Sequence, residues 1–452
     1  MEIGEPLSTR VAAPIVVLVD EARNRTLAIC GGAGISIPAG LPSGRELARK
    51  LHQRFERVAN YECAEPDDLL SVADAAARLP DGLAAVQRAV LELAPFSEAS
   101  PQLAHRLLAL LLAEGAARLL LTNWDDCVER SWREFEHIRG VCNALEAERL
   151  RGQFVVKIHG CCTQPDSLLI TSHQLDDDAP LWTRIYFAAE LAHSTTVFVG
   201  IGDIADYAGK RITELAEVVD HARVSVVSPD IATSWEGSAW EDLLPELPEE
   251  RRIEKSANVF LDELAREWVM ALIAELKAAP GSDPAPWLGS VAEAFERLTA
   301  VQALVWLRRA AVGWKVGESV VRAPAATSAL EAVGLIARQP PDLADMDSIR
   351  FIPNSAVQVG GERLDVLICQ ERRARSEIED AAAERAQRVA KSLGPQAQLH
   401  LLVAAGLFRG PKPRQLDTVD VIDLDVPVDE LIDGDRHIPV RLTYVDDILE
   451  AA

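Results

Sequence analysis

Along the first part of the chain, short apolar runs alternate with stretches of helical period. Leu27 to Cys30 is a compact apolar run that reads as a buried strand. It opens into a loop carrying Gly31, Gly32, Gly34 and Gly40, and Gly44 to Phe55 then resumes a helical pattern. Residues 8–22 predict a short amphipathic helix ahead of that strand, and residues 44–58 and 66–94 predict helices, the second rich in Ala and Leu. His105 to Glu114 is helical behind Pro101. Ala117 to Thr122 and Phe154 to Ile158 read as strands, with helical character from Asp125 to Glu136 between them. Thr195 to Ile201 and Val224 to Ser228 are further strands, and a long helix runs from about Asn258 to Leu276. Strands separated by helices predict an α/β domain with a Rossmann-like, doubly wound parallel sheet and helical insertions.

The pattern breaks at Ala278 to Pro286, where Pro, Gly, Ser and Asp cluster as a linker. Beyond it, Trp287 to Ala311 reads as one or two helices with buried tryptophans. Ser348 to Phe351, Leu364 to Cys369, Gln398 to Val403 and Val419 to Leu424 read as strands, and Arg373 to Leu393 as a charged helix. The expected organisation is the α/β domain over 1–276, a linker over 277–287, and a smaller α/β or α+β domain over 288–452, expected to serve sensing or assembly.

Charge narrows the partners. With 70 acidic and 46 basic residues the formal net charge is −24, a field that repels phosphate backbones and anionic lipid. Direct nucleic-acid binding is therefore not expected. No run is long and apolar enough for a membrane span, and the acidic start Met1-Glu2-Ile3-Gly4-Glu5 is unlike a secretory signal. Seven cysteines without a paired Cys-x-x-Cys arrangement predict reduced thiols in a cytoplasm and no structural zinc.

The candidate chemistry lies at strand ends. A strand, a Gly-rich turn and a following helix form an anion site, because glycines let backbone N–H groups approach a phosphate. Gly32, Ala33 and Gly34 begin like the dinucleotide fingerprint, but Ile37 stands where its third glycine belongs. The second segment is Thr122-Asn123-Trp124-Asp125, and the third is Lys157-Ile158-His159-Gly160, each at the carboxyl end of a predicted strand. In open parallel sheets the ligand crevice lies at that edge. Asn123 can hold a water or a ribose hydroxyl there, and His159, with an ordinary pKa near 6.5, can accept a proton. Asp125 either orients the loop or offsets developing positive charge. Read singly, Asn123 is a helix cap and His159 a hydrogen-bonded structural residue. Cys161-Cys162 reads as buried thiols, Asp176-Asp177-Asp178 as a solvated turn, and His173 as a residue at a pocket mouth. Asp365 and Glu371 are arranged like a nuclease carboxylate site, but Arg372 and Arg373 stand where such a site needs a lysine.

Gly32, Ala33, Gly34, Ser36, Ala39, Gly40, Leu41 and Pro42 fit the sirtuin signature Gly-Ala-Gly-x-Ser-x-x-Ala-Gly-Ile/Leu-Pro. Together with the Thr122–Asp125 and Lys157–Gly160 motifs, the chain resembles the sirtuin-like NADase domains of bacterial antiphage defence over about residues 10–275. That resemblance implies Asn123 and His159 as the catalytic pair with Asp125 beside them. It implies NAD as substrate, held by Gly32, Ala33, Gly34, Ser36, Thr122, Gly200 and Ser228, with no metal. Two positions depart from it: Gly202 replaces an expected serine, and Asp206 falls one residue late. The zinc-ribbon cysteines of deacetylases are absent, which disfavours deacylation. The implied activity is an NAD glycohydrolase that releases nicotinamide and ADP-ribose as a triggered effector; a non-catalytic NAD or ADP-ribose sensor is the alternative. Homo-oligomerisation is expected, with a HerA-type ATPase, an Argonaute-like protein or a phage component as trigger or partner.

Overall fold

The computed structural model describes residues 13–131, 138–149, 154–175, 180–202, 223–231, 240–243, 245, 247–278 and 293–310, with isolated strand segments and residue 385 beyond. The chain divides into two compact units that part inside the helix Ala257–Ala278, between Ala265 and Arg266.

The first unit is built on seven strands: β1 (Leu27–Gly31), β2 (Arg118–Leu121), β3 (Arg139–Val141), β4 (Phe154–Lys157), β5 (Thr195–Val199), β6 (Val224–Ser228) and β7 (Arg252–Glu254). They lie in the order β3-β4-β2-β1-β5-β6-β7, and every pairing is parallel. The parallel doubly wound sheet expected from the sequence is thus present. β1 and β5 are buried at every position, as strands covered on both faces must be. One face of the sheet packs Ala28, Cys30, Leu120, Val156, Phe198 and Val226 with Phe187 and Trp240. From β1 the chain adds β2, then the edge strand β3, then β4 between them, and returns to the other side of β1 for β5, β6 and β7. That reversal opens a crevice at the carboxyl ends of β2, β1 and β5.

The helix Gly44–Phe55 forms where the sequence places it, because Ser43 and Glu46 close a reciprocal capping box at its start. The single helix expected over 66–94 is instead two, Leu69–Ala77 and Gly82–Leu93. Pro80 cannot continue a helix, and Gly82 takes a left-handed φ of 56°. The two pack with Gly44–Phe55 around Leu51, Phe55, Val72, Ala76, Val86 and Val90 as a helical insertion between β1 and β2. The strands β3 and β7 were not expected; each is three residues long, too short for a hydrophobic period to register.

The second unit carries a six-stranded mixed sheet. β10 (Arg350–Ile352), β11 (Ala356–Val359) and β12 (Glu362–Cys369) run antiparallel, and β13 (Leu399–Ala405) and β15 (Val440–Tyr444) continue in parallel. β14 (Leu424–Val426) closes the order β10-β11-β12-β13-β15-β14, and β8 (Trp314–Val316) and β9 (Ser319–Val321) form a separate hairpin. Asp365 is fully buried on β12 and accepts from Arg363 at 2.8 Å and Arg385 at 2.9 Å. Two guanidinium groups therefore occupy the carboxylate that resembled a nuclease ligand. The linker from 279 onward, the charged helix apart from Arg385, and Asp176 to Asp178 lie outside the described residues, as do Asp206 and Glu371.

Three glycines explain how the crevice walls approach. A Cβ on Gly34 would lie 2.7 Å from the Gly200 carbonyl oxygen, and one on Gly32 would lie 2.8 Å from it. Gly200 itself has φ +66°, a left-handed conformation that favours glycine. Gly34→Ala should therefore lower stability by about 1–3 kcal/mol. Gly44→Ala, where nothing lies within 4 Å of the new methyl, should leave it unchanged or slightly raised. Thermal denaturation of the two variants checks this; equal melting temperatures would contradict the close packing of Gly34 on Gly200.

Candidate functional site

Strand register brings the predicted residues to one edge. Gly31 pairs with Leu121 and Val199, Leu121 with Lys157, and Val199 with Val227. These five form a row across the sheet, and the expected residues follow it: Gly32, Thr122 and Asn123, His159, Gly200 and Ser228. Asn123 and His159 each stand two positions past the row on neighbouring strands, whose backbones are about 4.8 Å apart.

The loop after β1 makes two 3-10 turns, Ala33–Ile35 and Ile37–Ala39, before the capped helix. The sequence led us to expect its amides to face a phosphate. Most of them bond within the protein instead: Gly32 N–H to Val199 O at 3.0 Å, Gly34 to Gly200 O at 2.7 Å, Ile35 to Gly32 O and Ser36 to Ala33 O. Among the described residues, no protein acceptor is found for the N–H groups of the exposed Ala33 and Ile37.

Beneath the loop lies a buried polar knot. Ser36 is 2% exposed, Asn123 7% and Asp125 1%. The Asn123 Nδ2 group donates to Asp125 Oδ2 at 2.6 Å and to Ser36 Oγ at 2.9 Å. The Ser36 hydroxyl donates to Asp125 Oδ2 at 2.7 Å, and the Cys127 N–H donates to Asp125 Oδ1 at 3.0 Å. His105 completes the knot: its Nδ1 accepts the Gln102 N–H at 3.0 Å, so Nε2 carries the proton and faces Ser36 Oγ at 3.1 Å. The roles of Asn123 and Ser36 follow from the ionised carboxylate, which can only accept. The amide nitrogen of Asn123 must point at Asp125, so its carbonyl oxygen points away. That oxygen is buried and has no hydrogen-bond partner among the described residues. At this edge of the sheet the oxygen is available to a donor from outside the protein.

Electrostatics keep the knot in one state. Burial would lift the Asp125 carboxyl, but Lys157, His105 and the bonds from Ser36 and Cys127 pull it below its ordinary range. His159 retains some exposure, yet burial lowers its imidazole from 6.5 to about 4. Burial lowers His105 to about 4 as well, against the pull of Asp125. Both imidazoles are neutral at neutral pH, so His159 is an acceptor there.

The remaining candidates fall as follows. Thr122 is partly exposed and its hydroxyl donates to Gly31 O at 3.3 Å. Ser36 spends its hydrogen-bonding capacity on Asp125, Asn123 and His105, so it shapes the crevice from below. Ser228 is partly exposed at the end of β6, and Gly202 is exposed with open space where a side chain would be. His173 is exposed in the short helix Ser172–Leu175. Cys161 is buried, and the thiol of Cys162 together with Lys157 lowers its pKa. His105, Asp125 and Cys127 present ligand atoms within 4.8 Å of one another. Those atoms are already spent: Asp125 accepts on both oxygens, His105 uses both ring nitrogens, and Cys127 Sγ contacts Ala99 O and Arg130 at 3.6 Å. Within the chain, each of these atoms therefore takes part in the hydrogen-bonded knot. Sequence reasoning missed His105; its signal was a polar residue, beside Arg106, in the otherwise apolar helix Leu103–Ala113.

Residues 118–210 match the family model described as a SIR2-like domain. A curated relative, NAD(+) hydrolase ThsA of Acinetobacter baumannii (strain 532279), is 28% identical over 192 residues. That match covers 40% of this chain and 38% of the relative's length, so the chain spans well under half of it. Among solved structures, a mutant Sir2 homologue complexed with ADP-ribose is 18% identical, covering 57% of this chain and 96% of its own, at a TM-score of 0.34. A Sir2 homologue complexed with NAD is 16% identical, covering 60% and 98%, at a TM-score of 0.32. Among the described residues no helix is long and apolar enough to cross a membrane.

The depressed imidazoles fix the sign of acid sensitivity. Between pH 6.5 and 4 the unfolded chain binds protons that folded His105 and His159 refuse, so stability is complete above about 6.5 and falls as pH drops through 4. An NMR titration of the histidine ring nitrogens should find both residues neutral at pH 5.5, well above their midpoints near 4. Midpoints near 6.5 would contradict this burial.

Proposed function

On the premise that the chain carries a SIR2-like domain over residues 118–210, we propose that it is an NAD glycohydrolase. The reaction is NAD plus water giving nicotinamide, ADP-ribose and a proton. The observation that carries this reading is the buried, unpartnered Asn123 carbonyl oxygen at the edge where His159 also ends its strand. The curated relative's name, NAD(+) hydrolase, supports the same chemistry.

Nicotinamide is a neutral leaving group from a cationic nicotinamide riboside, and its departure leaves an oxocarbenium-like ribose. The Asn123 oxygen accepts a hydrogen bond from the attacking water or a ribose hydroxyl and so places it. Neutral His159 takes the proton; a cation this reactive needs only a weak base, which suits an imidazole lowered to about 4. Asp125 has both oxygens filled by protein donors, which favours its orienting role over direct contact with the ribose. Gly32, Ala33 and Gly34 line the approach for the pyrophosphate, the free Ala33 N–H serving as its backbone donor, with Thr122, Gly200 and Ser228 toward the ribose and adenine side. Ser36 acts through Asn123 and Asp125. We further propose that this activity serves as a triggered effector in antiphage defence. Self-association or a partner would hold it silent until infection, with the second unit in the sensing or assembly role.

Purified protein incubated with NAD, alone and with infected-cell extract as trigger, should release nicotinamide. Asn123→Ala and His159→Ala should each reduce release by at least about 100-fold while still folding, Asn123→Ala with a lowered melting temperature because Asp125 loses a donor. Bound NAD left intact under every trigger would instead identify a sensor, and an Asn123→Ala variant turning over at the parental rate would overturn the assignment of that residue.

A further inference from the structure

Lys157 ends β4 in register with Leu121, two residues before His159, and it is fully buried. A lysine at that depth needs a reason, because its charge is costly to desolvate. Its Nζ reaches across to the neighbouring loop and donates to the Asp125 carbonyl oxygen at 2.5 Å. Its second partner is Glu129 Oε1 at 3.7 Å, from the short helix Cys127–Arg130 that follows the same loop. Neither Glu129 oxygen accepts a hydrogen bond among the described residues, so Lys157 is the positive group that offsets this carboxylate. Space for the pair comes from a third element: a Cβ on Gly140 of β3 would lie 2.5 Å from Glu129 Oε1 and 3.2 Å from Lys157 Cγ. One backbone bond runs the same way, from the Cys162 N–H to the Trp124 carbonyl at 2.7 Å.

We infer that Lys157, seated between Asp125 and Glu129, is the positioning residue that fixes the Asn123 loop of β2 against the His159 loop of β4. The inference rests on the NAD glycohydrolase reading for its catalytic consequence, and on geometry alone for its structural one. Lys157 touches neither the crevice nor a substrate. It acts by holding the carbonyl of Asp125, whose carboxylate in turn orients the Asn123 amide. An apolar side chain of the same length would fill the volume and leave the Asp125 carbonyl without its donor. Burial opposes the charge on Lys157, but Glu129, Cys161 and Asp125 together raise its pKa above the ordinary value. Burial pushes Glu129 up to about 7 despite Lys157, so the lysine is the member whose charge is permanent.

The test uses the full chain with Lys157→Met and the double variant Lys157→Met/Glu129→Leu, in which no buried carboxylate is left unpaired. Hydrogen exchange read by mass spectrometry should speed at least tenfold in peptides covering 122–127 in both variants, with peptides of the helix Gly82–Leu93 unchanged. The double variant should regain the melting temperature lost by Lys157→Met. Its nicotinamide release should stay at least tenfold below the parent, as a fall in kcat, with ADP-ribose affinity within threefold. Parental exchange over 122–127 in the double variant, or parental kcat, would overturn the inference and reduce the pair to a stability element. Should the parent release no nicotinamide under any trigger, the functional reading fails, and the exchange data alone still decide whether Lys157 holds the loop.

Discussion

The site depends on one buried carboxylate. Asp125 is 1% exposed, and it is tolerated there because the Ser36 hydroxyl, the Asn123 amide and the Cys127 N–H all donate to it. Being ionised, it can only accept, and that single fact propagates outward. It turns the Asn123 amide nitrogen inward, leaves the carbonyl oxygen facing away without a partner, and sets the Ser36 proton. His105 supports the same assignment from behind, with its tautomer set by the Gln102 N–H. The crevice-facing group is thus fixed by charge rather than by packing.

A second constraint is steric. The loop after β1 and the end of β5 meet through Gly32, Gly34 and Gly200 at distances no Cβ would allow. The glycines that look like a phosphate cradle therefore also join two strand ends on either side of the crevice. Such double duty explains why the loop spends Gly32 and Gly34 amides on Val199 and Gly200 while leaving Ala33 open. The same logic recurs at Gly140, where the missing side chain makes room for Lys157 and Glu129.

Much of this was legible in the sequence, and for a physical reason. Parallel strands covered on both faces are rich in β-branched and apolar residues, so Leu27–Gly31, Thr195–Val199 and Val224–Ser228 stand out, and motifs at their ends must share an edge. The helix Gly44–Phe55 was expected from its pattern, and the structure shows the Ser43–Glu46 capping box that starts it. Short edge strands such as Arg139–Val141 carry too few residues for a period, and the Pro80–Gly82 break hid inside an alanine-rich stretch. The polar knot was hidden for a different reason. Ser36, His105, Asn123 and Asp125 come from separate segments, and only the folded chain shows that Ser36 and Asp125 bond each other rather than facing outward. Lys157 was part of a recognised motif, but its reach across to Asp125 is a tertiary fact.

The most direct test of this account is a crystal structure of the full chain soaked with ADP-ribose. The account requires the nucleotide at the carboxyl edge of β1, β2 and β5, with a hydroxyl of its terminal ribose, or a water bound to it, within hydrogen-bond distance of Asn123 Oδ1. ADP-ribose lodged elsewhere, or an Asn123 carbonyl turned toward protein with the ligand in place, would contradict it.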